Sequence, residues 1–356
     1  MTSESIPIVK KFEQSQDSLV LQSSDLSLAT ISQMVGTGAI DVEPHYQRRE
    51  RWKPSAQREL IESFLLNVPV PPVYLSEDDF GTYSVIDGKQ RITAISAFLG
   101  NQFSLDELKK FPEINGFFFS DLPPQLQNAL LIRPYIRVVT LLKQTDPELK
   151  YEVFTRLNTG GQPLSPQEIR NALYRGKLND ALFSLSRDDF LRLQLKIATE
   201  KESAYTEMTD VEMVLRFFTL KDSWENFSGD YRRAMDNFMA TNKKIRPADL
   251  EKISKNYLRA LSRCQKLWGE TAFKRHTGTG YRDQFLASIY DAQMISVADL
   301  SVGRFNEILG KKAKLQTEMK KLFSNEDFEE AIRVSTNTPS KVKHRVSTVT
   351  KLLGAI

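Results

Sequence analysis

Five consecutive residues, Asp87, Gly88, Lys89, Gln90 and Arg91, stand where the β-branched stretch "YSVID" gives way to the amphipathic run "RITAISAFLG". A strand that ends in Asp-Gly and enters a helix through Lys-Gln-Arg turns the unsatisfied N–H groups of the first helical turn toward whatever sits above it. An anion is the expected occupant. Lys89 and Arg91 add positive charge, Arg91 can grip a phosphate through two parallel hydrogen bonds, and Gly88 allows close backbone approach. Asp87 can hold a magnesium ion through oxygen, and Gln90 can orient a water, as glutamine does in some nucleotide hydrolases. The competing reading is structural: Asp-Gly is a common turn, Asp87 a helix cap, and Lys-Gln-Arg a polar first turn.

Three further clusters carry chemistry. "YQRRERW" packs Gln47, Arg48, Arg49 and Arg51 between Tyr46 and Trp52. Such a loop can hold phosphate and stack a base, or form a surface ion-pair patch with Glu50 and Glu59. In "RLNTGGQPLSPQEIRNAL", Asn158, Gly160 and Gly161 either form a backbone loop against a ligand or simply link two helices. From Lys243 to Arg275 ten basic residues face three acidic ones, a local excess of +7. Lys252, Lys255, Arg259, Arg263 and Lys266 then mark a candidate DNA-binding face, with a solvated helix face as the alternative.

The elements that must position these groups are legible in the periodicity. "DLSLATISQMVG" predicts a helix with Leu26, Leu28, Ile31 and Val35 on one side, Asp25 as a candidate cap and Gly36 as a stop. "KPSAQRELIESFLLN" predicts a second helix with Pro54 in its first turn and Ala56, Leu60, Ile61, Phe64 and Leu65 on one face. Val73 to Leu75 reads as a strand, at a sheet edge or beginning just after Pro72, and "DDFGTY" turns the chain into a hairpin with "YSVID". Ile92, Ile95, Phe98 and Leu99 share a helix face ahead of Gly100. A short helix after Pro124, the strand "YIRVVTLL", and a helical stripe of Leu149, Val153, Phe154 and Leu157 follow. Ser165, Pro166 and Glu168 then read as a capping box. Beyond residue 181 the pattern is helical, with Leu250, Ile253, Tyr257, Leu258, Leu261 and Trp268 on one side of the basic helix.

The expected architecture is therefore α+β: a loosely held N-terminus (1–24), a domain with a small mixed sheet and helices (25–180), and an all-helical domain (181–356). With 356 residues, 40% hydrophobic and 26% charged, the chain can bury a sizeable core. The single cysteine, Cys264, excludes an internal disulfide, and His45, His276 and His344 lack metal-ligand spacing. No apolar run approaches the roughly 20 residues of a membrane span, and no signal peptide opens the sequence, so a cytoplasmic location is expected. The net charge of +4 says little by itself.

Taken in order, "YQRRERW" with its following helix and "VPVPPVYL", then "VIDGKQRITAI", then "FTRLNTGGQPLSPQEIRNALY", resemble the N-terminal domain of the GmrSD-type restriction endonucleases, a branch of the ParB/sulfiredoxin-like superfamily. The resemblance covers roughly residues 20–180. The family usually shows Asp-Gly-Gln-Gln-Arg, so Lys89 departs at the third place only. The resemblance implies a ParB-like fold and magnesium-dependent binding and hydrolysis of a nucleoside triphosphate in a DNA restriction or anti-phage system. It places Asp87, Gly88, Gln90 and Arg91 in the nucleotide site, with Gln47 and Arg48 nearby. Many relatives also carry a C-terminal His-Me finger nuclease; here the last 80 residues hold only His344, with no matching constellation, so if DNA is cut, a partner chain or the N-terminal domain is expected to do it. Two other readings stand beside the nucleotidase: a non-catalytic regulator that binds DNA or nucleotide, and direct nicking of DNA by the ParB-like domain. Whether the chain forms a homo-oligomer stays open.

Overall fold

The structure, a computed structural model, describes residues 8–10, 12, 19–42, 53–157 and 165–356. The chain divides into two compact units, one of residues 1–164 with 168–173 and one of residues 165–167 with 174–356.

The first unit is built on a five-stranded mixed sheet. Its elements are β1 (Leu21–Ser27), α1 (Leu28–Gly36), β2 (Ile40–Asp41), α2 (Pro54–Leu65), β3 (Val73–Asp79), β4 (Thr82–Asp87), α3 (Lys89–Leu99), α4 (Pro124–Ile132), β5 (Tyr135–Leu141) and α5 (Pro147–Leu157). The strand order is β1-β5-β3-β4-β2. β1 runs antiparallel to β5 and β3 antiparallel to β4, whereas β3 with β5 and β2 with β4 are parallel. Helices α1, α2 and α3 bury Leu28, Ile31, Leu60, Ile61, Phe64, Ile92, Ile95 and Phe98 in one core with Val73, Leu75 and Val85 of the sheet. These are the apolar positions spaced three and four apart that the periodicity selects.

One expectation about this unit needs correction. Asp25 is not a helix cap. It lies in β1, inside the stretch expected to begin the first helix, and its carboxylate takes two hydrogen bonds from Arg137 of the neighbouring strand, at 2.9 and 3.0 Å. The cap of α1 is Ser27, whose hydroxyl oxygen accepts from the Thr30 amide at 3.2 Å. β3 starts directly after Pro72, but it sits in the middle of the sheet; proline is tolerated because it precedes the first ladder residue.

Helix α6 (Pro166–Leu173) follows, and the second unit then runs α7 (Lys177–Ser186), α8 (Asp189–Gln194), α9 (Ser203–Thr206), α10 (Thr209–Lys221), α11 (Tyr231–Thr241), α12 (Pro247–Trp268), β6 (Lys274–His276), β7 (Tyr281–Phe285), α13 (Ala287–Ala298), α14 (Val302–Gly310), α15 (Lys312–Leu322), α16 (Glu326–Arg333) and α17 (Pro339–Ala355). It is helical apart from the antiparallel β6–β7 hairpin, which the sequence conceals because three and five residues are too few to establish alternation. α13 is buried on every side from Ser288 to Ala298, which makes it the central helix of the unit. Cys264 is fully buried beside Met294, and burial pushes its thiol well above the ordinary range, so it behaves as a packing residue.

No helix among the described residues is long and apolar enough to cross a membrane.

Candidate functional site

The turn from β4 into α3 is built as its sequence requires. Asp87 is the last residue of β4, opposite Tyr74 of β3. Gly88 then takes φ +93° and ψ 12°, a left-handed conformation that a residue with a side chain adopts only at a cost, and its carbonyl accepts the first helical bond from the Ile92 amide at 3.0 Å. No side chain caps the helix, and its first turn holds no acidic residue. The reading of Asp87 as a helix cap is thereby set aside.

Asp87 is turned instead toward Arg91, whose Nη2 donates to Oδ2 at 2.7 Å. Nη1 of Arg91 reaches the Pro71 carbonyl at 3.4 Å, and its Nε is buried without a hydrogen-bond partner. The arginine side chain is only 12% exposed, the aspartate 40%. A guanidinium so placed is partly desolvated, with hydrogen-bonding capacity still unspent.

Gly88 is required for a reason that the sequence does not disclose. A Cβ at this position would stand 2.7 Å from Cγ2 of Val73 and 3.1 Å from Nη2 of Arg91. The space beside the glycine is thus filled by the chain's own valine and arginine, and the lack of a side chain lets Arg91 lie against the turn. Gly88→Ala combines this clash with a disfavoured φ, so a loss of about 1–3 kcal/mol is expected. Chemical denaturation of the variant measures it; unchanged stability would mean that the turn relaxes freely.

Lys89 and Gln90 follow in the first turn of α3, half-buried, and each already interacts with other groups. The parallel pairing of β2 with β4 aims the C-terminal end of β2 at the same edge of the sheet as Asp87. Gln47 and Arg48, which follow β2 in sequence, lie outside the described residues, as do Asn158, Gly160 and Gly161. The structure therefore gathers Asp87, Gly88 and Arg91, and adds the Pro71 carbonyl and Val73. Neither of these two carries a motif signal, because each acts through backbone or packing.

The candidate DNA-binding face is shorter than expected. Lys252, Lys255, Arg259 and Lys266 are exposed on α12, with Lys255 paired to Glu251 at 2.5 Å. Arg263 is 5% exposed and does not belong to that face. Its Nη1 donates to the Val297 and Ala298 carbonyls at 2.7 and 3.2 Å, and its guanidinium lies 5.1 Å from the centre of the Phe305 ring. The three-four spacing aligns it with its basic neighbours, but the open carbonyls at the end of α13 claim it as a C-terminal cap. Leu258, read with the apolar side, is 43% exposed, whereas Tyr257, Leu261 and Trp268 are buried.

Among the described residues, no group of three or more His, Cys, Asp or Glu side chains is placed to hold a metal ion. Asp87 is a single carboxylate that could hold a magnesium ion only together with oxygens of a bound phosphate.

No curated protein and no solved structure matches the chain. Residues 31–175 match the family model described as GmrSD restriction endonuclease, N-terminal domain, and the match contains the strand, the Gly88 turn and α3. The first unit of this chain is therefore an N-terminal domain of the GmrSD restriction endonuclease type.

Proposed function

We propose that the first unit binds the phosphates of a nucleoside triphosphate at the Gly88 turn and hydrolyses the nucleotide with magnesium, as a module of a DNA restriction or defence system. The observation that carries this reading is the partly buried Arg91 guanidinium, one nitrogen still unpartnered, beside the uncapped start of α3. Fixed positive charge and a helix N-terminus together favour a phosphate. Arg91 and the first-turn amides would hold it, Asp87 would hold the magnesium, and Gln90 would orient a water. The metal supplies charge neutralisation of the phosphate oxygens. Opening the internal Asp87–Arg91 pair would free Arg91 for the phosphate and Asp87 for the magnesium, so each charge would exchange one opposite partner for another.

Phosphate release from each of the four ribonucleoside triphosphates, with and without magnesium and with and without DNA, tests the reading. Magnesium-dependent turnover of at least one nucleotide is expected. Binding without turnover would favour a non-catalytic regulator, and neither binding nor turnover would overturn the assignment.

The four exposed basic residues of α12 favour DNA as a second ligand. Affinity for duplex DNA should fall steeply as salt rises, through counterion release, and Lys252→Ala with Lys255→Ala should flatten the slope by roughly one unit for each phosphate no longer neutralised. A flat salt response of the unaltered chain would return these residues to a solvated helix face. Arg263→Ala is expected to lower stability instead, since it removes two of the hydrogen bonds that hold the end of α13.

A further inference from the structure

The helical unit contains an arginine-lined cavity, independent of the reading given for the first unit. It measures about 340 Å³ and is lined by Arg216, Arg275, Arg282, Arg333, Gln284 and Asn337, and by the first residues of α13. None of the described residues lining it is acidic. Guanidiniums repel one another, so four around one cavity call for compensating charge.

The structure supplies only part of that compensation. Asp291 is shared by two arginines, Arg216 through two bonds of 2.7 Å and Arg345 through one of 2.7 Å. Glu329 is likewise shared, by Arg275 at 2.6 Å and Arg333 at 3.6 Å. Each carboxylate is thus shared by two guanidiniums, and Glu212, whose charge also acts on Arg216, still leaves the carboxylates outnumbered. Arg282, on β7, lines the same cavity and is exposed. Arg216 is held in place by the Tyr231 ring, whose centre lies 3.5 Å from its guanidinium carbon. The wall of the cavity also includes the uncapped N-terminus of the twelve-residue α13, which adds backbone N–H donors and a favourable dipole.

We propose that this cavity binds a terminal phosphate group, carried by a phosphorylated small molecule such as a nucleotide or present as inorganic phosphate. A terminal phosphate bears close to two negative charges near neutral pH, and guanidiniums recognise its oxygens through paired hydrogen bonds. Gln284 and Asn337 provide amides for an uncharged remainder. A backbone phosphodiester carries one charge and two substituents, a poorer match to a cavity with this surplus.

The test uses the full chain carrying Arg91→Ala, so that the site proposed in the first unit contributes nothing and the two proposals fail separately. Calorimetric titration at low ionic strength with inorganic phosphate, and then with a nucleoside monophosphate, should show one saturable site. Arg282→Ala on that background should weaken it about tenfold or more, the effect expected for one charge-assisted hydrogen bond, with the melting temperature unchanged. Lys351→Ala, which removes one exposed charge elsewhere, should alter it less than twofold. Tighter binding of the monophosphate identifies the nucleotide as the source; equal binding identifies inorganic phosphate. The proposal is overturned by the absence of saturable binding, by equal weakening in the two variants, or by duplex DNA without terminal phosphates competing as well as the monophosphate.

Discussion

Arg91→Ala should lower nucleotide affinity and turnover together by two orders of magnitude or more. Each charge-assisted hydrogen bond removed is worth about 1.5–3 kcal/mol, and in the proposed complex the guanidinium would make two to one phosphate. Arg91→Lys restores the charge without the planar fork and should recover only a small part of the loss. Folding stability, by contrast, should change by only about 0–1 kcal/mol. The partner Asp87 is 40% exposed and can rehydrate when the arginine is removed. This separation matters: a purely structural arginine would move the melting curve and leave any remaining activity in proportion to folded protein. Nucleotide titration and thermal melting of the same preparations distinguish the two cases, and unaltered nucleotide affinity in Arg91→Ala would remove the arginine from the site.

Asp291→Ala should produce the largest loss of stability, about 3–5 kcal/mol, because it strands charges that the fold has buried. Asp291 on α13 accepts from Arg216 of α10, from Arg345 of α17, and from the Tyr231 hydroxyl of α11 at 2.9 Å. Arg345 is fully buried, and its Nη2 also donates to the Tyr231 oxygen at 2.7 Å. Four helices therefore meet on one carboxylate. Burial pushes that carboxyl upward, but the charges and hydrogen bonds of Arg216 and Arg345 outweigh burial and hold it below the ordinary value of 3.8. Burial likewise raises the Tyr231 hydroxyl, which stays protonated and donating. A carboxyl depressed in the folded state contributes stability above its unfolded pKa and loses it as pH falls through the folded value. The native chain should accordingly lose stability below about pH 4 along an arm that Asp291→Asn lacks. Denaturant midpoints measured across that range for both chains check this, and superimposable acid arms would show that the cluster carries little of the stability.

The sequence discloses most of what lies near the Gly88 turn because its signals are local. β-Branched residues of β4, a left-handed glycine and an amphipathic α3 act within a few residues of one another, and periodicity reads them directly. What it conceals depends on distant partners. Asp25 has the form of a cap until β5 brings Arg137 beside it. Arg263 has the form of a surface cation until the end of α13 offers its carbonyls. The requirement for glycine at position 88 comes from Val73 on the neighbouring strand as much as from backbone freedom. The arginine-lined cavity draws on residues spread from Arg216 to Asn337, so no motif spans it. In the resemblance to GmrSD-type domains, the motif spacing supplies the family, and the geometry supplies the pairing of Asp87 with Arg91 that a motif cannot state.

The central claim is that a nucleotide phosphate occupies the Gly88 turn and draws Arg91 away from Asp87. A crystal structure of the full chain with magnesium and a non-hydrolysable nucleoside triphosphate tests it most directly. The account predicts phosphate oxygens on the Arg91 guanidinium and the first amides of α3, with the 2.7 Å bond from Arg91 to Asp87 opened and Asp87 turned to the metal. A nucleotide bound elsewhere, with that bond intact, would contradict it.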